Sequence, residues 1–310
     1  MDRLEAMSLV MAVAEAGSLS AAARRQNAPL ATVSRKVSEL EAHLRTKLFN
    51  RSSRALVPTD AGRSYIAAAK RILADLAEAE RIASGEYTTP RGDLSISAPI
   101  FLGRNYLQPI VAEFMTAFPE VTLRFDLQDR AVNLLEEHVD VALRIGNLAD
   151  SSLIAARIGE VVAVLFASRA YLKSRGMPKA PDDLSKHDVI TCALLQSPTL
   201  WRFKQDQREY AIPVRSRLVV TNIESACDAA RAGLGITEAF SYHVAESVKS
   251  GELVSLLQDF QPPPVTVNFV YPPNRFMPLK LRAFLDYATP RLKSRLGDLP
   301  SAKRARGGRS

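Results

Sequence analysis

The chain has 310 residues, a length that suits about two domains. Its composition is that of an ordinary globular protein, with 47% hydrophobic and 24% charged residues. No apolar run approaches the roughly 18–20 residues that span a bilayer. The first apolar stretch is surrounded by Asp2, Glu5 and Glu15 rather than preceded by a basic segment. We therefore expect a cytoplasmic protein without a secretory leader and without a membrane partner.

Positive charge is concentrated near the two ends of the chain. The formal net charge is +8, and residues 20–71 hold eleven Lys/Arg against three acids. The last twenty residues hold seven bases against one acid, while the remainder is slightly acidic. This distribution favours a polyanion as partner of the ends only. Residues 299–310 read as a basic, low-complexity tail that we expect to be disordered.

The sequence shows no pattern that indicates catalysis. The four histidines, at 43, 138, 187 and 243, have no metal-ligand spacing with each other or with cysteine. Nucleophile-elbow and phosphate-loop motifs do not occur. Cys192 and Cys227 predict two small buried side chains, with a redox-sensing pair as the alternative. We expect no catalytic residue, no metal and no cofactor.

Residues 1–58 predict short helices that end in a hairpin. Ser18 or Ser20 is placed to cap one helix, and Asn27 tolerates the left-handed turn after it. Pro29 suits the first position of the next helix, which runs to about residue 43.

Two faces of that second helix differ. The buried stripe is predicted to contain Val33, Val37, Leu40 and Leu44. The opposite face carries small, hydroxyl-bearing and cationic residues at its N-terminal end, which is what a recognition helix in a major groove requires. Short strands at 47–51 and 55–57 follow, with a basic turn between them that is typical of a wing touching phosphates or the minor groove. The predicted DNA-binding residues are Ser18, Ser20, Leu30, Ala31, Thr32, Ser34, Arg35, Lys36, Ser38, Arg51, Ser53 and Arg54.

Four stretches of this region carry a specific resemblance: the start SLSAAA, the helix VSRKVSELE, the strand LFNR and the segment TDAG. Residues 17–62 resemble the winged helix-turn-helix of LysR-type transcriptional regulators. Members commonly carry Ser-Gln-Ser-Ala before Val-Ser-Arg, whereas this chain carries Pro29-Leu30-Ala31-Thr32. Since Leu30 replaces a side chain that often bonds DNA, we expect a different base preference, such as apolar contact with a thymine methyl. A helix-turn-helix used only for protein contacts is the alternative.

A long helix is predicted to follow, capped by Thr59 and ended by Gly85. Its apolar residues recur at steps of three and four, at Ile66, Ala69, Leu73, Leu76, Ala79 or Glu80, and Ala83. A helix of about 25 residues would be about 38 Å long, which exceeds what a small domain covers. The stripe therefore favours pairing of two subunits over an intradomain contact.

Beyond residue 87 strands alternate with helices, which predicts a parallel α/β sheet. Strands are predicted at 93–97, 121–127, 140–145, 161–167, 189–193, 210–221 and 265–271, and helices at 132–137, 224–232 and 279–292. An earlier helix would carry Leu107, Ile110, Val111, Phe114 and Phe118 on its apolar side.

The resemblance extends through the whole chain and implies an α/β multidomain fold. It implies a winged helix-turn-helix over 1–58, a linker helix over 59–88 that pairs two subunits, and an effector domain over 89–298. That domain would resemble periplasmic solute-binding proteins, with lobe I at about 91–167 and 269–298 and lobe II at about 168–268.

Ligands of open parallel sheets sit at the carboxyl ends of strands, beside helix N-termini. Free N–H groups at two such helix starts would favour an anionic or carbonyl-bearing ligand. For each residue, a helix cap or loop filler is the alternative. The candidate effector-binding residues are Ser97, Ala98, Pro99, Ile100, Phe101, Arg144, Ser168, Asn222, Ile223 and Thr237.

Together these observations predict a sequence-specific DNA-binding transcriptional regulator that a small-molecule effector modulates. Its expected partners are double-stranded DNA, RNA polymerase, and copies of itself in a homodimer or homotetramer. The expected effector is a small molecule that is either anionic or carbonyl-bearing. A solute-binding transport protein is one rival, and a DNA-binding protein whose α/β half only assembles is another. An enzyme has no residue to support it.

Overall fold

The computed structural model describes residues 2–51, 56–83, 89–130, 133–146, 152–193, 199–205, 208–273 and 277–297. The chain divides into two compact units. The first contains Met1–Gly92 with Phe276–Leu279, and the second contains Asp93–Arg275 with Lys280–Ser310. Within the described ranges, no single helix combines the length and apolar character that crossing a membrane requires, although the sharply bent pair over 3–25 meets that test jointly.

The first unit is a three-helix core followed by a small hairpin and a long helix. Its elements are α1 (Arg3–Ala16), α2 (Leu19–Arg25), α3 (Leu30–Leu44), β1 (Phe49–Arg51), β2 (Leu56–Pro58) and α4 (Asp60–Ala83). The apolar faces of α1, α2 and α3 meet around fully buried Val10, Val13, Ala22 and Val33. Burial of this common face is what holds three individually short helices together.

The predicted helices of this unit are confirmed, with one correction to a helix start and one to the buried stripe of α3. Ser18 Oγ accepts from Ala21 N at 3.1 Å, and Asn27 has φ 48° in the turn after α2. Pro29 is not the first helical residue but the N-cap, because its ψ of 137° lies outside the helical range. Leu44 is wrong as a member of the buried stripe: it is the last residue of α3 and is 36% exposed, and Arg45 after it caps the helix in the left-handed conformation.

The start of α4 is tied to the residues that precede β1. Thr59 Oγ1 accepts from Gly62 N at 2.9 Å, which confirms the predicted cap, and donates to Lys47 O at 2.7 Å. Thr59 N also donates to Leu48 O at 2.9 Å. A Cβ on Gly62 would lie 1.9 Å from Leu48 O, so the close approach requires glycine. The TDAG segment thus fixes where α4 leaves the hairpin.

Helix α4 has 24 residues, which corresponds to about 36 Å. Of the predicted stripe, Ala69 is buried and Ile66, Leu73 and Leu76 are half-buried, whereas Ala79 is exposed. Ile72, outside the stripe, is 40% exposed. Gly85, the predicted end, lies outside the described residues.

The first sheet of the second unit corresponds to the predicted lobe I. Its strands are β3 (Gly92–Ala98), β4 (Val121–Leu127), β5 (Val141–Ile145), β6 (Ile154–Val161) and β14 (Val265–Tyr271), in the order β4-β3-β5-β14-β6. It is covered by α5 (Ile100–Leu102), a π-helical turn (Gly103–Leu107), α6 (Gln108–Ala117) and α10 (Leu279–Gly297). The prediction of a parallel sheet is wrong: β3 and β5 are parallel, but β14 runs antiparallel to both β5 and β6. The strand that returns from lobe II enters in the opposite direction.

The remaining strands and helices lie between β6 and β14 and correspond to the predicted lobe II. They are β7 (Ala163–Ser168), α7 (Arg169–Arg175), β8 (Val189–Cys192), β9 (Leu200–Gln205), β10 (Arg208–Pro213), β11 (Ser216–Val220), α8 (Ile223–Arg231), β12 (Thr237–Phe240), α9 (Ser241–Ser250) and β13 (Leu253–Leu256). Strands β12, β7 and β13 form one antiparallel sheet, and β8 pairs with β11 in parallel. The predicted strand over 210–221 is two strands, because β10 pairs back on β9 as a hairpin.

The predicted helix over 132–137 is also wrong in its described part. Residues 134–138 form turns, in which Leu135 N and Glu136 N donate to Asn133 Oδ1 at 3.2 and 3.5 Å. His138 then turns the chain with φ 54°. A segment this short gains too few helical hydrogen bonds to offset nucleation.

Candidate DNA-binding and effector sites

Helix α3 presents the predicted recognition face to solvent. Val33, Val37 and Leu40 are at most 2% exposed, whereas Leu30 on the other side is 49% exposed. Of the other predicted contact residues, Ala31 and Arg35 are exposed, and Thr32, Ser34, Lys36 and Ser38 are half-buried. The structure therefore brings the residues predicted on α3 together along one accessible part of the helix.

Two cations on α3 are paired with acids. Arg35 Nη1 donates to Glu39 Oε1 at 2.6 Å, one turn further along the same helix. Lys36 Nζ pairs with the carboxylate of Glu5 from α1, and its side chain is only 21% exposed. The Arg35 side chain is 65% exposed. Lys36 is thus held toward α1, while the Arg35 guanidinium stands outward.

A buried carboxylate, which sequence reasoning missed, connects α3 to the hairpin. Glu41 is 3% exposed; its Oε1 accepts from Leu48 N at 2.9 Å and Phe49 N at 3.2 Å, and its Oε2 accepts from Lys47 Nζ at 2.8 Å. Burial alone would raise the pKa of Glu41, but these hydrogen bonds together hold it below its ordinary value. Glu41 therefore positions β1 relative to the recognition helix. In the sequence, the burial of Glu41 is indicated only by its spacing from Val37 and Leu40, which places it beside the buried stripe of α3.

The wing is described only in its strands. Strand β1 pairs antiparallel with β2, with Asn50 opposite Val57. Ser53, Arg54 and the side chain of Arg51 lie outside the described residues, so their DNA-binding role stays a prediction. Ser18 is half-buried and caps α2, and exposed Ser20 has its Oγ 3.4 Å from Ser18 Oγ.

The candidate effector residues of lobe I lie where β3 ends. Ser97 is fully buried, and its Oγ has no hydrogen-bond partner in the described part of the chain. Ala98 is buried and Pro99 precedes the short α5. Ile100 N donates to Asp129 Oδ1 at 3.0 Å, so that donor is not free as predicted.

Arg144 lies on the same face of this sheet as Ser97. Ser97 is paired with Ala142 across β3 and β5, and side chains alternate along a strand, so Arg144 follows Ala142 on that face. Its Nη2 is enclosed and has no partner among the described residues, and its Nη1 is 3.5 Å from Leu143 O. Burial lowers the pKa of Arg144. The neighbouring Arg130 and Glu137 are bound to each other through two hydrogen bonds of 2.7 and 2.6 Å.

The candidates of lobe II have hydrogen bonds within the protein. Ser168 Oγ accepts from Tyr171 N at 3.3 Å and caps α7, and Asn222 Oδ1 accepts from Ser225 N at 2.9 Å and caps α8. Thr237 Oγ1 donates to Ile190 O at 2.9 Å and is buried. Ile223 is half-buried at the start of α8. Ser168 and Asn222 thus have the helix-cap role that stood as the alternative, Thr237 connects β12 to the carbonyl of residue 190, and ligand contact stays a prediction.

Aromatic residues join the two lobes; Phe101 is one of the predicted effector residues, whereas Tyr106, Tyr242 and His243 were missed in the sequence. The Phe101 ring lies 4.7 Å from His243 and 5.9 Å from Tyr242, centroid to centroid. Tyr106 Oη is 3.4 Å from Tyr242 O. Burial lowers the pKa of His243 to about 4, so its imidazole is neutral at pH 7. No local pattern could pair positions that are more than a hundred residues apart.

Both cysteines are buried, as predicted. Burial raises the pKa of Cys227 to about 12. Since the thiolate is the reactive form, Cys227 is an unreactive thiol at neutral pH in this conformation.

A winged helix-turn-helix with an accessible cationic face, joined to a two-lobed α/β unit, defines a class of DNA-binding protein with a ligand domain. Two family descriptions match: "Bacterial regulatory helix-turn-helix protein, lysR family" over residues 4–63, and "LysR substrate binding domain" over residues 88–293. The chain belongs to the LysR family of transcriptional regulators.

Known proteins agree with this assignment over almost their whole length. An uncharacterized HTH-type transcriptional regulator of Haemophilus influenzae is 34% identical, covering 91% of this chain and 98% of the relative. An HTH-type transcriptional repressor of Pseudomonas aeruginosa is 32% identical, covering 93% and 91%. The structure of CrgA, a LysR-type regulator of Neisseria meningitidis, is 29% identical, covers 95% of this chain and 99% of that chain, and superposes with a TM-score of 0.60.

The family assignment confirms the predicted function and fold class. The protein is a DNA-binding transcriptional regulator whose C-terminal domain binds a small-molecule effector. The rival of a solute-binding transport protein is set aside, because the DNA-binding domain and the ligand domain belong to one regulator family.

Proposed function

We propose that this regulator acts in the cytoplasm, as a homodimer or homotetramer that sets two or more α3 helices on a partly palindromic duplex site. The single observation that supports it most is the accessible side of α3, with its small and cationic residues outward and its stripe buried. Half-buried and exposed apolar residues on α4, Ile72 among them, favour pairing of two linker helices. Contact with RNA polymerase completes the proposal, and catalysis is no part of it.

The proposed domains are the winged helix-turn-helix at 1–58, the linker helix at 59–88, the effector domain at 89–298 and a basic tail beyond it. DNA is contacted by the α3 residues, by Ser18 and Ser20, and by the wing residues Arg51, Ser53 and Arg54. Exposed Leu30 at the N-terminal end of α3 favours contact with a thymine methyl.

Replacing Arg35 tests the proposed contact of α3. We expect Arg35→Ala to weaken binding to a selected duplex by about fivefold or more, because a good arginine contact in the groove is worth about 1–3 kcal/mol. Gel-shift titrations at fixed salt measure the affinity, and analytical ultracentrifugation checks that the oligomer is intact. Arg157→Ala is the matched control, since Arg157 is also an exposed arginine with a carboxylate at 2.6 Å, but in the other unit. Unchanged duplex affinity of Arg35→Ala would overturn the contact.

We further propose that the effector is anionic, contacts the ends of β3 and β5 in lobe I, and reaches Ser168, Asn222, Ile223 and Thr237 of lobe II. The support is the pair of unpartnered polar groups on one sheet face, Arg144 Nη2 and Ser97 Oγ. An enclosed guanidinium nitrogen without a hydrogen-bond partner is unfavourable, and a carboxylate on Arg144 would satisfy Nη2 while accepting from Ser97 Oγ.

A thermal-shift titration tests this effector chemistry separately from DNA binding. The probes are acetate, benzoate and salicylate, each against sodium chloride of equal ionic strength. We expect at least one carboxylate to raise the Tm of the wild type and of Arg124→Gln, an exposed arginine on β4, but not that of Arg144→Gln. Without the ligand, Arg144→Gln should melt no lower than the wild type, because it removes a half-buried guanidinium whose enclosed Nη2 has no hydrogen-bond partner among the described residues. Equal Tm shifts of wild type and Arg144→Gln, including no shift in either, would contradict binding of an anionic effector at Arg144. The DNA-binding proposal would be unaffected.

A further inference from the structure

Glu39 is an acid on the side of α3 that faces outward. Its side chain is 40% exposed, and its Oε1 lies 2.6 Å from Arg35 Nη1. A carboxylate on a surface that approaches phosphates is repelled by them, so its presence there calls for a physical reason.

Helix stability is a weak reason for this pair. Exposed ion pairs contribute little, because water screens them and two long side chains lose freedom. The order also matters: an acid that precedes the base by four residues stabilises a helix better than the reverse, and here Arg35 precedes Glu39. The pair therefore gains little for α3 in the free protein.

Orientation of the guanidinium is a stronger reason. An arginine reads guanine through two parallel hydrogen bonds, which require its planar fork to be fixed. A free arginine on the protein surface has many rotamers, and a group already held in place loses less freedom on binding. The hydrogen bond to Glu39 engages only Nη1 of Arg35, so the other guanidinium donors stay available for a base edge.

We propose that Glu39 is a specificity-determining residue of DNA binding that acts by positioning Arg35. On non-specific duplex, where Arg35 has only phosphates to meet, the Glu39 charge opposes binding. On the specific site, the hydrogen bonds of the oriented guanidinium contribute more binding free energy than this repulsion costs. Glu39 therefore lowers affinity for non-specific DNA, raises affinity for the specific site, and so widens the difference between right and wrong sequences.

The inference rests on the proposed contact of α3 with duplex DNA, and the test separates the two. A preferred duplex is first selected from a random library with the full-length wild type. Affinities for this duplex and for a scrambled duplex are then measured at several salt concentrations for Glu39→Gln, Arg35→Lys, the double variant, and Glu15→Gln. The last removes the same charge from an exposed position of α1.

We expect Glu39→Gln to bind the scrambled duplex more tightly, with a salt dependence steeper by up to about one unit of slope. Its discrimination between the two duplexes should fall about tenfold, while Glu15→Gln keeps the wild-type discrimination. Arg35→Lys keeps the charge but loses the fork, so the double variant should discriminate no worse than Arg35→Lys alone.

Full additivity of the two losses would overturn the inference, because Glu39 would then not act through Arg35. Wild-type discrimination in Glu39→Gln, or a loss equalled by Glu15→Gln, would overturn it as well. Unchanged duplex affinity of Arg35→Ala would instead refute the contact of α3 itself. Circular dichroism melting verifies that every variant is folded.

Discussion

The chemistry of the DNA-binding unit depends on a few side chains whose roles are set by what they touch. Glu41 and Glu39 are two residues apart on α3, yet one is buried under the hairpin and the other is exposed beside Arg35. In the sequence, both are simply acidic residues in a basic region, and nothing distinguishes their roles. Only the packing of 47–49 onto α3 distinguishes Glu41, which bonds the start of the hairpin, from Glu39, whose side chain is partly open to solvent.

We expect Glu41→Gln to lower the free energy of unfolding of the DNA-binding unit by about 1–3 kcal/mol at pH 7, because charge-assisted hydrogen bonds in a buried site weaken. The folded-state pKa of Glu41 is lowered, so the stabilisation is present above the unfolded pKa of about 4.3 and is lost as pH falls through the folded value. Chemical denaturation at pH 7 and at pH 3 measures it.

The difference between wild type and Glu41→Gln should therefore shrink in acid. Glu15→Gln, at an exposed position, should match the wild type within about 0.5 kcal/mol at both pH values. A penalty of Glu41→Gln that is equal at pH 7 and pH 3 would contradict the ionised role of this carboxylate.

At the scale of elements, the junction between the hairpin and α4 decides where the long helix points. Gly62→Ala would place a Cβ 1.9 Å from Leu48 O. The nearest atoms all belong to the Leu48 backbone, so no flexible side chain can move away to relieve the clash. We expect the free energy of unfolding to fall by about 2 kcal/mol or more, as in other overpacked sites. Thermal denaturation followed by circular dichroism measures this loss.

Gly297→Ala is the matched control, since a Cβ at Gly297 meets nothing within 4 Å. It lies in the last turn of α10, where alanine is a better helix former than glycine. If Gly62→Ala were as stable as Gly297→Ala, the close packing of α4 on residue 48 would be refuted.

Elements with a strong local signal could be predicted from the sequence. The apolar spacing of Val33, Val37 and Leu40, the Thr59 cap and the strand over 121–127 each depend on neighbouring residues, and each agrees with the structure. The segment 132–137 has helix-forming residues, but it is too short to form a helix, and its Asn133 cap stabilises turns instead.

At the scale of the whole molecule, the direction and pairing of strands could not be predicted. β14 is antiparallel to β5, and it enters lobe I about a hundred residues after β6, so no local pattern indicates its direction. The candidate effector site shows the same limit. The sequence pointed to Ser97 and Arg144 as strand ends, but their common face and unpartnered atoms follow from the pairing of β3 with β5.

The most direct test of the account is a competition between duplexes. The purified full-length protein is titrated with the duplex selected from a random library and with random duplex, at several salt concentrations, with and without the carboxylate probes. We expect the selected duplex to bind at least about a thousandfold more tightly than random duplex, and salt to weaken binding of both. Equal affinity for both duplexes at every salt concentration and with every probe would contradict it.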